Sequence, residues 1–402
     1  MPAGRILEGS AAVAHAVRLC RPHVVAAYPI TPQTHIVENL AQMWADGQIG
    51  CEFTNVESEF AAASVVLGAS AAGARAYTAS SSQGILLMTE VLYNISGLRL
   101  PVVLTCVNRS ISAPLNIWND QQDSISVRDS GWMQFYAEDP QETLDLHICA
   151  FKIAEDHRVL LPAMVCMDGF LLTHCYEPVE IPEQDAVDKF LPARQPLHAL
   201  DPQKPVTLGA YADPSYYMEH RYIVNSAMVS SAGVIGEVLN DFTAAFGRTL
   251  HPFVESYRME GARQALVAMG SIASVVKDAV DERRARGELV GLVRIITFRP
   301  FVADQVAAAL AGVERVAVLE KAISVGAPAP LVTEVRSALY GGSDAVVSGF
   351  VIGLGGRDVT TASIHRVLDR LQGPPGDNLF VDLNPELIGD LAPALEREWQ
   401  KA

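Results

Sequence analysis

The stretch Ala74-Arg75-Ala76-Tyr77-Thr78-Ala79-Ser80-Ser81-Ser82-Gln83-Gly84-Ile85-Leu86-Leu87-Met88-Thr89-Glu90-Val91-Leu92 passes from a short β-rich run, through a turn of small residues, into a helical pattern. Strand, turn and helix in that order, repeated along a chain, imply a parallel sheet covered by helices. The same unit recurs outward on both sides. Strands are expected at His23–Tyr28, Cys51–Val56, Ala74–Ala79, Pro101–Asn108, Met133–Tyr136 and Ala163–Phe170. Helices are expected at Gly9–Arg21, Thr34–Asp46, Ser58–Ala72, Gln83–Leu92 and Pro140–Glu155.

From Pro178 to Pro214 the periodicity is broken by prolines at 178, 182, 192, 196, 202, 205 and 214. Proline holds itself and its predecessor toward extended conformations, so a semi-rigid strap is expected there. A helical stretch at Glu219–Phe246 leads into a second alternating unit. Its strands are expected at Gln264–Met269, Val290–Thr297, Arg315–Glu320 and Val346–Ile352, and its helices at Ala273–Arg286, Phe301–Ala311, Pro330–Tyr340 and Thr360–Leu371. The implied organisation is a first α/β domain over 1–177, a linker with a helical segment over 178–254, and a smaller α/β domain over 255–402.

Half of the 402 residues are hydrophobic, enough for a sizeable core and too many for a disordered chain. The apolar run at Ala61–Ala72 falls short of the roughly 20 residues of a membrane span. The first residues lack a signal peptide's apolar stretch, so the expected compartment is cytoplasmic. A formal net charge of −16 opposes a nucleic-acid partner. The six cysteines (Cys20, Cys51, Cys106, Cys149, Cys166 and Cys175) include no CxxC pair, so buried thiols are expected and no iron–sulfur cluster held by this chain alone.

Four clusters carry chemical promise, and three of them sit just past the carboxyl ends of strands, the ligand-binding side of a parallel sheet. In Tyr28-Pro29-Ile30-Thr31-Pro32-Gln33-Thr34, Thr31 is placed to cap a helix whose first residue is Pro32, or to face an anion there. Glu57-Ser58-Glu59 opens an Ala-rich helix; the acids complement its dipole, and one of them would be partly desolvated. Thr78 to Gly84 is either a cap with spare serines or a close-approach surface for a flat ligand. Arg109, directly after a buried strand, is a rim ion pair or a fork for a carboxylate. The loop Gly353-Leu354-Gly355-Gly356-Arg357-Asp358 lacks GxGxxG spacing and is a poor dinucleotide site.

Taken in order, Tyr-Pro-Ile-Thr-Pro at 28–32, Glu-Ser-Glu at 57–59, Leu-Gly-Ala-Ser-Ala-Ala-Gly-Ala at 67–74, Thr-Ala-Ser-Ser-Ser-Gln-Gly at 78–84, Asn108-Arg109 and Gly-Leu-Gly-Gly-Arg-Asp at 353–358 resemble one family. The chain resembles the alpha subunit of the 2-oxoacid:acceptor oxidoreductases, of the pyruvate:ferredoxin oxidoreductase type. That resemblance implies a thiamine-diphosphate-binding-fold pyrimidine domain followed by a transketolase C-terminal-like α/β domain. It implies thiamine diphosphate shared with a beta subunit, Mg2+ and [4Fe-4S] clusters on partner chains, and coenzyme A as co-substrate. Beta, gamma and delta-type subunits, a dimer of heteromers, and ferredoxin or an NAD-reducing subunit are the implied partners.

By the same resemblance Glu59 matches the carboxylate that hydrogen-bonds the aminopyrimidine ring, and Thr31 and Arg109 match groups that hold the substrate carboxylate. Ser82 and Gln83 fall in the turn that would line the cofactor. Glu59 sharing a proton with the pyrimidine would help generate the nucleophile that attacks the oxo carbon before carbon dioxide leaves. Where many pyruvate enzymes of the family read His-Ser-Asp, this chain reads Gln121-Gln122-Asp123, which leaves pyruvate and larger oxoacids such as phenylglyoxylate both open. The competing expectations are a non-catalytic assembly subunit and an independent nucleotide-binding α/β enzyme.

Overall fold

The computed structural model describes residues 4–391 and residue 393, so the extreme ends of the first and last expected domains lie outside the described residues. The first part of the chain runs β1 (Arg5–Glu8), α1 (Gly9–Leu19), β2 (Val24–Ala27), α2 (Thr34–Ala45), β3 (Glu52–Asn55), α3 (Glu59–Ala71), β4 (Ala76–Ser80), α4 (Ser82–Gly97), β5 (Val103–Asn108), α5 (Gln122–Ser126), β6 (Met133–Tyr136), α6 (Pro140–Glu155) and β7 (Ala163–Asp168). It continues through β8 (Tyr176–Val179), α7 (Gln184–Phe190), α8 (Tyr217–Phe246), β9 (Val254–Tyr257), β10 (Gln264–Met269), α9 (Ile272–Ala285), β11 (Val290–Ile295) and β12 (Thr297–Arg299). The last part is α10 (Ala303–Ala309), β13 (Arg315–Glu320), α11 (Pro330–Leu339), β14 (Val346–Val351), α12 (Thr361–Arg370), β15 (Leu379–Phe380) and α13 (Pro385–Ile388).

Among the described residues β1 and β8 pair as a two-stranded antiparallel ribbon, and the other strands form two larger sheets, one seven-stranded and ordered β12-β6-β7-β5-β4-β2-β3, the other six-stranded and ordered β15-β14-β13-β10-β11-β9. Each is parallel except for one edge strand, β12 in the first and β9 in the second. Strands β4, β5 and β7 are buried along their whole length, because helices cover both faces and an apolar side chain is favoured on either side. One core lies between the first sheet and α1, α2, α6 and α8. A second is continuous from the α3 and α4 side of that sheet to residues of β10, β11, β13 and α11, so the two α/β units share apolar packing. Helices α9 and α12 enclose a third core on the far face of the second sheet.

The structure departs from the sequence expectations where short elements are set by long-range contacts. The strand expected over Val290–Thr297 divides: β11 stays in the second sheet, while β12 crosses over and pairs antiparallel with β6. A segment from after residue 255 therefore completes the first sheet. The proline-rich strap holds α7, whose Phe190 packs edge-on against Phe242 and Phe246 of α8. Elsewhere the strap docks as an extended surface segment, with Leu200 N donating to Ala71 O at 2.8 Å. Helix α8 is long and apolar enough by length and composition to cross a membrane, but it buries Val234, Ile235, Val238, Leu239 and Phe242 in the first core.

Between the units, Arg294 on β11 is buried and donates to both carboxylate oxygens of Glu142 on α6, at 2.7 and 2.8 Å, and to Glu255 at 2.6 Å. Such an ion cluster fixes orientation more than it adds stability, because desolvating the charges offsets most of their attraction.

Candidate active site

In the first sheet β2, β4 and β5 are neighbours, so the loops leaving their carboxyl ends converge. That brings together Thr31 after β2, Ser82 and Gln83 after β4, and Arg109 after β5. Glu59 joins them from the start of α3. Ser58 caps that helix, its Oγ accepting from Ala61 N at 3.2 Å, and so leaves the Glu59 side chain free of the capping role.

Glu59 is 7% exposed, and among the described residues no group hydrogen-bonds its carboxylate. It lies across the first turn of α4: a Cβ at Gly84 would stand 2.7 Å from Glu59 Oε1 and would also collide with Ser80 Oγ. Only a glycine permits that approach. The hydroxyls of Thr78, Ser80 and Ser81 are buried without a partner. Each buried unsatisfied polar group costs about 1–3 kcal/mol, so this cluster is suited to a ligand that supplies the missing bonds. An aminopyrimidine ring, flat and bearing both donors and acceptors, fits a lone carboxylate set beside small residues and a bare backbone.

Thr31 does not cap the next helix. Helix α2 begins at Thr34 after Gln33, and Thr31 is exposed in the preceding turn. The buried Gln33 takes over, its Nε2 donating to Ala79 O at 2.8 Å and its Oε1 accepting from Ile30 N at 3.2 Å. What Thr31 contributes is its carbonyl, which accepts from Arg109 Nη1 at 2.9 Å. Arg109 Nε donates to Asn116 O at 2.9 Å, which leaves Nη2 as the donor without a partner among the described residues. Burial lowers the Arg109 pKa, opposed by the charge of Asp123, and arginine remains a cation throughout the physiological range. Arg109 is therefore neither a rim ion pair nor a free fork; it is a buried brace with one remaining donor.

The centre of this arrangement is Asp123, a residue the sequence expectations left without a role. Fully buried, it accepts from Ser82 N at 2.9 Å, Arg109 N at 3.0 Å, Asn108 Nδ2 at 2.8 Å and Ser124 N at 2.7 Å. Burial pushes its pKa up to about 7 against the pull of those donors. Ser82 has φ +47, in the left-handed region, and its hydroxyl donates to Ser110 O at 2.5 Å. Gln83 Oε1 is 2.6 Å from that hydroxyl. Ser82 thus ties two loops together, and Gln83 is the more accessible of the pair. The only local signal for Asp123 is an acid in a polar run after a buried strand.

The segment 116–123 also carries the second unit. Lys321, 4% exposed, donates to Asn119 Oδ1 and, at 3.1 Å, to Asp168 Oδ2. Gln121 Nε2 donates to Met269 O at 3.1 Å, and Gln122 Nε2 to Ile323 O at 3.0 Å. The 353–358 loop is a clasp on this segment: Asn116 Nδ2 donates to Gly355 O at 3.0 Å, and Gly355 N to Asp120 Oδ2 at 3.1 Å. Gly356 allows close packing of this loop on another part of the same chain, since a Cβ there would overlap Trp118.

Comparison with known proteins gives consistent matches over nearly the whole chain. Residues 15–239 match the family model described as pyruvate flavodoxin/ferredoxin oxidoreductase, thiamine diphosphate-binding. Residues 262–364 match that of the pyruvate:ferredoxin oxidoreductase core domain II. The chain is 49% identical over 391 residues to the pyruvate synthase subunit PorA of Methanosarcina barkeri, covering 95% of this chain and 97% of that protein. It is 46% identical over 379 residues to the PorA subunit of Thermotoga maritima, covering 94% and 95% respectively. It is 41% identical over 373 residues to the ketoisovalerate oxidoreductase subunit VorA of Pyrococcus abyssi, covering 92% and 94%. A solved 2-oxoglutarate:ferredoxin oxidoreductase from Magnetococcus marinus, with 2-oxoglutarate, coenzyme A and succinyl-CoA bound, shares the fold with a TM-score of 0.66 at 19% identity. The match covers 91% of this chain and 65% of that one.

Proposed function

The chain belongs to the pyruvate flavodoxin/ferredoxin oxidoreductase family, and from that membership we propose that it is the alpha-type subunit of a multi-subunit 2-oxoacid oxidoreductase, converting a 2-oxoacid and coenzyme A to acyl-CoA and carbon dioxide. The observation that carries this is the Glu59 carboxylate, buried without a partner against Gly84, at the sheet end where Arg109 and Thr31 meet. Glu59 would hold the pyrimidine half of thiamine diphosphate, with Ser82 and Gln83 shaping the same turn. When bound, that cofactor supplies the nucleophilic carbon and the electron sink for decarboxylation.

This chain's own residues hold and orient. Glu59 would share a proton between one carboxylate oxygen and a nitrogen of the pyrimidine. Arg109, fixed by two carbonyls, offers Nη2 to the substrate carboxylate, and Thr31 forms the wall beside it, a positioning role. Asp123 fixes the backbone N–H groups of Ser82 and Arg109 and so sets both loops.

We assign the Mg2+ ion and diphosphate cradle, and the [4Fe-4S] clusters, to beta- and delta-type partner chains, together with a gamma-type subunit. The six cysteines support this: they are dispersed in the chain with no CxxC pair, and most are buried. Electrons would pass to ferredoxin or an NAD-reducing subunit. The relatives' names favour pyruvate or a branched oxoacid as substrate, with phenylglyoxylate a further candidate through Gln121-Gln122.

Two measurements test the proposal. The purified complex should reduce a viologen dye only when a 2-oxoacid and coenzyme A are both present; reduction that needs neither would overturn it. Calorimetry on the isolated chain should show weak or no binding of thiamine diphosphate, because half of the site is on a partner. Tight magnesium-dependent binding to the chain alone would overturn the shared site.

A further inference from the structure

Glu8, His35 and His174 come from three separate parts of the fold and meet side chain to side chain. Glu8 ends β1, His35 is in the first turn of α2, and His174 lies in the turn between β7 and β8. One carboxylate oxygen and one nitrogen from each imidazole fall within 4.8 Å of one another. His35 Nδ1 is 2.6 Å from Glu8 Oε1, and the two imidazole centroids are 4.6 Å apart. All three residues are half-buried, and none has a part in the chemistry described above.

We propose that these three side chains form a binding site for one divalent transition-metal cation of the zinc class. The donor set selects it: two imidazole nitrogens and one carboxylate oxygen suit zinc, cobalt or nickel, whereas magnesium and calcium take oxygen ligands almost alone. Ligand bonds of about 2.0–2.1 Å place neighbouring donor atoms roughly 3.3 Å apart in a tetrahedral site, so rotation of these side chains closes the gap. Three protein ligands leave a coordination position for water.

The surroundings are built to hold the ligands. Gly9 N donates to Cys175 O at 3.1 Å, and Ser10 N to Thr173 O at 3.0 Å, which locks the end of β1 to the turn. A Cβ at Gly9 would overlap Leu172 O. Thr173 Oγ1 accepts from Phe170 N at 2.8 Å and lies 2.7 Å from His174 Nδ1, orienting the ring and leaving Nε2 for a cation. An outer partner of this kind is what metal-ligating histidines use.

The site has a structural consequence. Gly169, at the start of the same turn, leaves no room beside the loops it touches: a Cβ there would stand 2.7 Å from Pro32 Cγ and from Asn108 O. A cation joining His174 to His35 would tie the turn that packs on Pro32 to the first turn of the helix that follows the Thr31 loop.

The test uses the full-length chain, without an affinity tag and after chelator treatment, titrated with Co2+ and then Zn2+. The expected result is one Co2+ per chain, a visible absorption band of low-coordinate cobalt, its loss on adding one equivalent of Zn2+, and a rise in Tm with Zn2+ but not Mg2+. Glu8→Gln and His174→Ala should each lose the band and the Tm rise while keeping the wild-type circular dichroism. If His174→Ala does not fold, His35→Gln takes its place. A wild-type chain that gives no cobalt band, or variants that bind cobalt as wild type does, would overturn the proposal.

Discussion

Arg109 Nη1 donates to the carbonyl oxygen of Thr31 at 2.9 Å, and Nε of the same guanidinium donates to Asn116 O at 2.9 Å. One planar group thus braces two loops and still has a donor to spare. An arginine after a strand is often read as a charge waiting for a ligand; here most of its geometry is already spent on backbone.

Arg109→Lys is therefore expected to fail on geometry rather than charge, since an ammonium cannot bridge both carbonyls and also face the substrate. The KM for the oxoacid should rise about tenfold or more, equivalent to about 1.4 kcal/mol, with the coenzyme A dependence unchanged. Arg109→Ala should be nearly inactive. Steady-state kinetics on the whole complex with pyruvate and phenylglyoxylate check this. An unchanged KM for whichever turns over would assign the acid group to another residue, such as Arg128.

Glu59→Gln keeps the side chain's shape and removes its ability to share a proton as a carboxylate. Turnover should fall far more than cofactor binding. A drop below about tenfold, or about 1.4 kcal/mol of barrier, would make Glu59 a structural residue of the α3 N-terminus.

Glu320 gives a pH-dependent outcome. Buried at 2% exposure, its carboxyl accepts from Val332 N at 2.5 Å, and burial pushes its pKa from 4.5 up to about 8. The folded state binds the proton more tightly than the unfolded one. This group's contribution to stability is thus full below about 4.5 and is lost as pH rises through about 8. Glu320→Gln, which stays neutral, should show a shallower fall in Tm than wild type between those limits. Parallel Tm–pH curves for the two proteins would mean that Glu320 is ionised in the fold.

Gly356→Ala tests the clasp. At φ +78 an alanine is strained, and its Cβ would overlap Trp118. Left-handed strain and overpacking together predict a loss of about 2–4 kcal/mol, read as a lower Tm. Neither form should bind a nicotinamide dinucleotide in calorimetry. An unchanged Tm would show that the 353–358 loop does not anchor the second unit.

Much of the architecture is legible in the chain because periodicity is local. The strands Met133–Tyr136, Gln264–Met269 and Arg315–Glu320 and the helix Pro140–Glu155 stand at the expected boundaries. The gathering of Thr31, Glu59, Ser82, Gln83 and Arg109 was legible for a related reason. Each lies at or just beyond the end of a strand or the start of the helix that follows, and a parallel sheet puts all such points on one side. Thr31 as a helix cap was not, because the buried Gln33 precedes the helix at Thr34, held by one local bond to Ile30 N and one tertiary bond to Ala79 O.

By itself, then, the sequence determined the strand–helix order, the parallel sheets, the ordered motifs and the side of the sheet on which chemistry would collect. The tertiary structure alone decided which atoms meet: the four donors on Asp123, the crossing of β12 into the first sheet, the docking of Gly355 and Gly356 on residues 116–119, and the convergence of Glu8, His35 and His174. The reason is physical. Propensity and periodicity act over a few residues, whereas burial and hydrogen-bond pairing are set by groups brought together from far along the chain, where a lost water must be replaced by a partner.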